Sequence, residues 1–453
     1  MLRLLSFLLL LLPQLLLSQL PCIQSNQEVI TYSINGERSS NTWTIMPALK
    51  PDVLDFATEQ KNNRVVFYTD VDSMVCNVKI GSAFQFYILF KGDSALTEVR
   101  ALKAPPKAAT FSKAFISKNK GKSSFDIPEV QELVHIVMAL TPTGIADKNM
   151  VEHDTKYYEE VMARFQPWQD HPVVAAMDKV LNQQYAVLKM DACSFVFSKG
   201  KIQKKPEYDR MSWGWENTLT PYLAQLEDFA QQSEFQSFFN AHKAYYAELL
   251  KEAERFMPVQ PQWEWLEREF SSRYDNYLIT FSPLVNGSHS TSNFADNNFK
   301  QCIMFICSAE GRPADRSEAI WEAGMTRVVF TEIDHNYVNP VSDKYVEQIS
   351  QVFNKTGFWA DGVRTASYNS PYAVFNEYMT WAVFSLYARE KYSPEVAAQY
   401  ITRMEKQMAD NRGFLKFAAF NQMLIKTYDG RTEGQKVEDL YPLVLEWAAR
   451  FKG

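Results

Sequence analysis

The chain has 453 residues and a net charge of −6, from 47 Lys and Arg against 53 Asp and Glu, which argues against a nucleic-acid partner. Its 46% apolar and 14% aromatic content supports cores for two or three domains. The five cysteines, Cys22, Cys76, Cys193, Cys302 and Cys307, are scattered and include no C-x-x-C pair, so a dense disulfide framework is excluded and the core must carry the stability.

A Leu-dominated apolar block runs from Met1-Leu2-Arg3 to about Leu17 and is followed by the small residue Ser18. This pattern predicts a signal peptide over residues 1–18, cut before Gln19, and a secreted or periplasmic location. The block is shorter than the roughly 20 residues a span needs, and no comparable run follows, so no transmembrane segment is expected. Leu20-Pro21 fits poorly in front of a lipid-attached Cys22.

Residues 25–102 read as a β-rich domain. Short apolar or alternating runs at 29–34, 64–68 and 84–90 are separated by turn signals such as Asn35-Gly36 and Lys91-Gly92-Asp93, which predicts a small antiparallel sheet domain. Residues 103–124 carry Lys103, Lys107, Lys113, Lys118, Lys120 and Lys122 and read as a Lys-rich linker or basic surface loop.

From residue 125 the period turns helical, and residues 125–453 read as a mainly helical domain with a short β-sheet, so the fold class is α+β. Val130, Leu133, Val134, Val137 and Leu140 recur at i, i+3, i+4 spacing, a second run opens at Tyr157 with Asp154 as its cap, and a third starts at His171-Pro172. Two long helices are expected between 219 and 256, the second with an aromatic stripe in which His242 reads as a satisfied core residue. Trp213-Gly214-Trp215 and Trp263-Glu264-Trp265 read as core or domain interface, with exposed rings that stack sugars or peptides as the alternative. Strands are expected at 277–281 and 302–307, with a polar loop at 286–290 between them. Cys302 and Cys307 fall on opposite faces of their strand, which argues against their pairing.

The stretch 328–340 then places Thr331 and His335 one helical turn apart on one face, with Glu332 beside them and Asn339-Pro340 to end the helix. In a zinc hydrolase of the H-E-x-x-H type, two His at those positions hold the metal and the Glu polarises the attacking water. Here the first His is Thr331, a degenerate ligand position. A Glu and a His at this spacing also occur on many solvated helices. Downstream, Glu377 is the one acid inside the apolar helical run 374–382, which makes it either a metal ligand or a paired core acid.

Several landmarks carry a resemblance. They are Val130-Gln131-Glu132-Leu133-Val134, the 157–165 helix, His171-Pro172-Val173-Val174, the V-N-P ending of the central helix, and the segment from Asn411-Arg412-Gly413-Phe414 to Tyr428. Together they resemble the bacterial secreted proteins grouped as domain of unknown function 4932. Where members of that family read H-E-F-S-H-S-F-V-N-P, this chain has Thr331 through Pro340. The resemblance implies a gluzincin-type metallopeptidase domain with Glu332 as general base, His335 as a zinc ligand and Glu377 as the third ligand. The departure at Thr331 weakens the zinc site, because a threonine hydroxyl is a poor zinc ligand. Two function classes stay open: a secreted zinc-dependent peptide hydrolase with an altered ligand set, and a catalytically inactive zincin relative that binds a peptide or protein partner.

Overall fold

The computed structural model describes residues 20–38, 41–46, 51–368 and 370–453, so the leader expected over 1–18 lies outside the described residues. The chain is a mixed α+β protein that divides into two compact units, Met1–Lys103 and Ala104–Gly453.

The first unit contains β1 (Cys22–Ser25), β2 (Val29–Ile34), β3 (Thr42–Thr44), β4 (Asp52–Thr58), β5 (Asn62–Tyr68), β6 (Ser73–Lys79), β7 (Ala83–Phe90) and β8 (Asp93–Lys103). They form two four-stranded sheets, ordered β1-β7-β8-β4 and β3-β2-β5-β6. Side chains alternate across each strand, so Ala95, Val99 and Ala101 of β8 point to one face and join Phe67, Phe86 and Ile88 in a shared core. The expected all-antiparallel sheet is corrected in one respect: β1 runs parallel to β7, and β4 parallel to β8. A period-two pattern fixes which face is buried and carries no information about strand direction.

The second unit begins inside the stretch read as a linker. Ser112 accepts the Phe115 amide and caps a short helix at Lys113–Asn119, and Phe111 is fully buried against Phe115, Tyr208 and Phe299. Lys113, Lys118, Lys120 and Lys122 lie on the exposed side of these ordered elements, so composition registered only their solvent face. The strands of this unit are β9 (Lys122–Asp126), the hairpin β10 (Phe195–Ser198) and β11 (Lys201–Lys204), β12 (Asn276–Phe281), β13 (Ser290–Asp296) and β14 (Phe299–Ile306). One sheet is ordered β13-β14-β12-β9, with β9 and β14 parallel to β12 and β13 antiparallel to β14. Ser290-Thr291-Ser292-Asn293 has no apolar alternation, and the sequence reading named no strand between the polar loop at 286–290 and the strand at 302–307.

Helices surround this sheet. Glu129–Leu140 is buried along nearly its whole length, and Pro172–Ala192 starts behind the N-cap His171. Thr155, not Asp154, caps Lys156–Phe165. Between 223 and 256 there are three helices instead of two, Leu223–Gln232, Phe235–Ala241 and Lys243–Phe256: Glu234, left-handed at φ 53°, separates the first two, and the stretch expected as one long second helix breaks at His242. Trp263 and Trp265 are core residues as read, whereas Trp213 and Trp215 are exposed. All five cysteines are free thiols.

The central helix, Glu318–Ser342, is capped by Ser317 accepting the Ile320 amide, and it packs against Pro371–Lys391 through Phe330, Phe384 and Tyr387. It continues past Pro340, where the sequence suggested a stop. Proline removes the N–H that would bond the Asn336 carbonyl, and the Tyr274 hydroxyl donates to that carbonyl instead at 3.4 Å. Among the described residues no helix is long and apolar enough to cross a membrane.

Candidate functional site

Thr331, Glu332, His335 and Glu377 converge on one chamber of about 490 Å³, walled also by Arg327, Trp381 and Arg412. The two long helices make this convergence: Thr331 and His335 share a face of the central helix, and Glu377 projects from the facing helix. His335 Nε2 lies 3.9 Å from Glu377 Oε2. Burial pushes the Glu332 carboxyl above its ordinary range, with the adjacent His335 charge acting against that shift.

Glu377 already has partners. Arg412 approaches its Oε1 to 2.6 Å, and the Trp381 indole donates to the same oxygen at 2.8 Å. Burial alone would raise this carboxyl, but the Arg412 guanidinium, followed by His335, outweighs it and holds Glu377 below the ordinary carboxylate range. Arg412 is itself fixed by donating to the Tyr368 hydroxyl at 2.7 Å. The Trp381 ring lies between two guanidinium groups, Arg327 at 4.4 Å and Arg412 at 4.6 Å from its centroid. His289, on the chamber wall, is held down to about 3 by burial and then by Lys189, Arg327 and Arg412, so it stays neutral.

These residues do not fit a tetrahedral zinc ion. The Thr331 hydroxyl donates to its own helix, to the Arg327 carbonyl at 3.0 Å, and one Glu377 oxygen is committed to Arg412. Of the three expected ligands that leaves one imidazole and one carboxylate oxygen, short of the three protein ligands a catalytic zinc takes. Among the described residues no group of three or more His, Cys, Asp or Glu is placed to hold a metal ion.

The chamber opens into a larger cleft of about 1140 Å³ that Glu332, His335 and Asn336 also line. One wall is the sheet edge β13, represented by Ser290, Thr291 and Asn293. Asn293 donates to the Asn336 side chain at 2.9 Å, and Asn336 donates onward to Cys302 Sγ and to the Ile333 carbonyl, which ties the strand to the central helix. Trp213 stands at another wall, 59% exposed. Its loop hangs from the fully buried Asp191, whose carboxylate accepts from the Met211 and Ser212 amides, the Thr218 amide and both hydroxyls of Ser212 and Thr218.

Comparison with family models, with curated proteins and with solved structures gives no match. Sequence reading missed Arg412, Arg327 and β13 as parts of the site, and it favoured a core or interface place for Trp213 over the exposed one it has. The signal for Arg412 was a chemical demand: an acid on an apolar helix requires a cation or a metal, and spacing cannot say which residue supplies it.

Proposed function

We propose that the second unit is a metal-independent polypeptide-binding module on a zincin-like scaffold, and not a zinc hydrolase. The observation that carries this reading is the Arg412–Glu377 pair at 2.6 Å. A metal ion there must displace a hydrogen-bonded guanidinium and leave that cation without the carboxylate it pairs with, which costs several kcal/mol. Thr331 is turned onto its own helix, and among the described residues no three His, Cys, Asp or Glu side chains are placed to hold a metal.

The cleft suits an extended chain. β13 is an edge strand, and its outer backbone groups have no backbone partner among the described residues. A peptide laid along it gains main-chain hydrogen bonds whatever its sequence. Asn293 and Asn339 offer amide groups to a peptide, and Trp213 offers an aromatic face to a side chain. Glu332 and His335 then act as polar groups of the floor.

The test is hydrogen exchange of the full chain mixed with tryptic peptides of a denatured protein, with and without chelator. Amides of residues 290–296 should slow equally in both, and the peptides should keep their masses. Cleavage that chelator stops and zinc restores would overturn the reading.

A further inference from the structure

A second concavity, of about 400 Å³, lies between the central helix and the helix Pro394–Lys406. Its lining includes four cations, Arg316, Arg327, Arg403 and Lys406, and no carboxylate. None of the four has a carboxylate within ion-pair distance among the described residues. Burial, and then the neighbouring Arg403 charge, holds the Arg316 guanidinium below its ordinary range, with Asp315 only partly offsetting them. Four cations lining one concavity repel, and no carboxylate in that lining offsets them, in a chain whose net charge is −6.

Arg327 is held ready for a ligand. Its guanidinium stacks on Trp381 at 4.4 Å and its Nε donates to the Tyr400 hydroxyl at 3.3 Å, which leaves its two terminal nitrogens for an anion. Beneath the cations the floor is apolar, made by Ile320, Met325 and Val328. From Ile320 to Val328 the helix rises about 12 Å, which matches roughly four residues of extended chain. A free phosphate ion leaves both that length and that apolar floor unused.

The geometry points to a binding site for an acidic peptide segment, with two or more carboxylates on the Arg316, Arg327, Arg403 and Lys406 cations and an apolar side chain on the floor between them. The concavity shares Arg327 with the chamber but does not rest on the reading of the cleft, since Glu332, His335 and β13 do not line it.

The test is fluorescence anisotropy of the full chain with a labelled Glu-Glu-Leu-Glu-Glu peptide, its Gln-Gln-Leu-Gln-Gln counterpart, and pyrophosphate as a competitor. Arg403 and Lys406 are exposed, so the double variant Arg403→Gln/Lys406→Gln should keep the native circular-dichroism melt. The acidic peptide should bind at least tenfold tighter than the neutral one at low salt and weaken steeply as salt rises. The double variant should lose at least tenfold, while Lys113→Gln/Lys118→Gln, which removes two exposed cations elsewhere in the same unit, should lose nothing. Equal binding of the two peptides, or unchanged binding by the double variant, overturns the proposal. So does pyrophosphate competing as tightly as the peptide itself, because the apolar floor would then have no part in recognition. An equal loss with Lys113→Gln/Lys118→Gln would make the binding a matter of overall charge and overturn it as well.

Discussion

Arg412 holds Glu377 through a 2.6 Å contact on the carboxylate oxygen that also accepts from Trp381. The positive charge opposite the third-ligand position is therefore covalently part of the chain. Restoring the missing histidine by Thr331→His should not by itself create a zinc site, because the guanidinium still holds the carboxylate. Thr331→His with Arg412→Gln frees Glu377 beside His335 and the new imidazole, and should bind zinc at least tenfold tighter than either single variant in a calorimetric titration. If Thr331→His alone binds as tightly as the pair, Arg412 is no barrier to the metal.

The same pair sets a stability cycle. Arg412→Met leaves a buried carboxylate without its cation and should cost on the order of 3–5 kcal/mol, whereas Arg412→Met with Glu377→Leu removes both charges and should recover most of that loss. Denaturant unfolding of the four proteins measures the coupling. Additive losses would show that the two groups do not stabilise each other.

Glu132 gives a pH dependence of the opposite sign to the usual acid effect. It is fully buried, accepts from the Tyr157 hydroxyl at 2.7 Å, and burial pushes its carboxyl from an ordinary 4.5 up to about 7. Below about 4.5 the folded and unfolded chains both hold the proton, so this group costs nothing there. Between about 4.5 and 7 the unfolded chain ionises while the folded one does not, so stability falls as pH rises, by on the order of 3 kcal/mol in all. Asp334, buried with neither oxygen hydrogen-bonded and also raised, adds in the same direction. Thermal melts from pH 5 to pH 8 should show a smaller decline for Glu132→Gln than for the native chain, and parallel declines would remove Glu132 as the cause.

Asp191 and Trp213 separate support from contact. Asp191→Ala strands buried amide and hydroxyl donors at Met211, Ser212 and Thr218, and should destabilise the second unit by roughly 3 kcal/mol or more while making the 211–218 loop sensitive to protease. Trp213→Ala removes an exposed ring, so stability should change by no more than about 0.5 kcal/mol while peptide affinity in the cleft drops at least threefold. An unchanged affinity would take Trp213 out of the binding surface.

Sequence alone determined the elements whose burial follows a period. The helices near Val130 and Pro172, the strands at Tyr277 and Cys302, and the one-turn spacing of Thr331 and His335 are all local consequences of which side chains avoid water. It also fixed the chemical demand at Glu377, since an acid inside an apolar helix cannot go unpaired. The tertiary structure decided how that demand was met. Arg412 reaches Glu377 across 35 positions of chain by way of a π-helical turn at Gln407–Asn411, and no spacing rule encodes such a contact. It likewise made β13 a strand, because Ser290–Asp296 gains its pairing from β14 and not from its own pattern, and it turned a Lys-rich stretch into ordered structure by burying Phe111 beneath it. Periodicity reports the face a segment presents to the core; the identity of what waits there is set by folding the distant parts of the chain together.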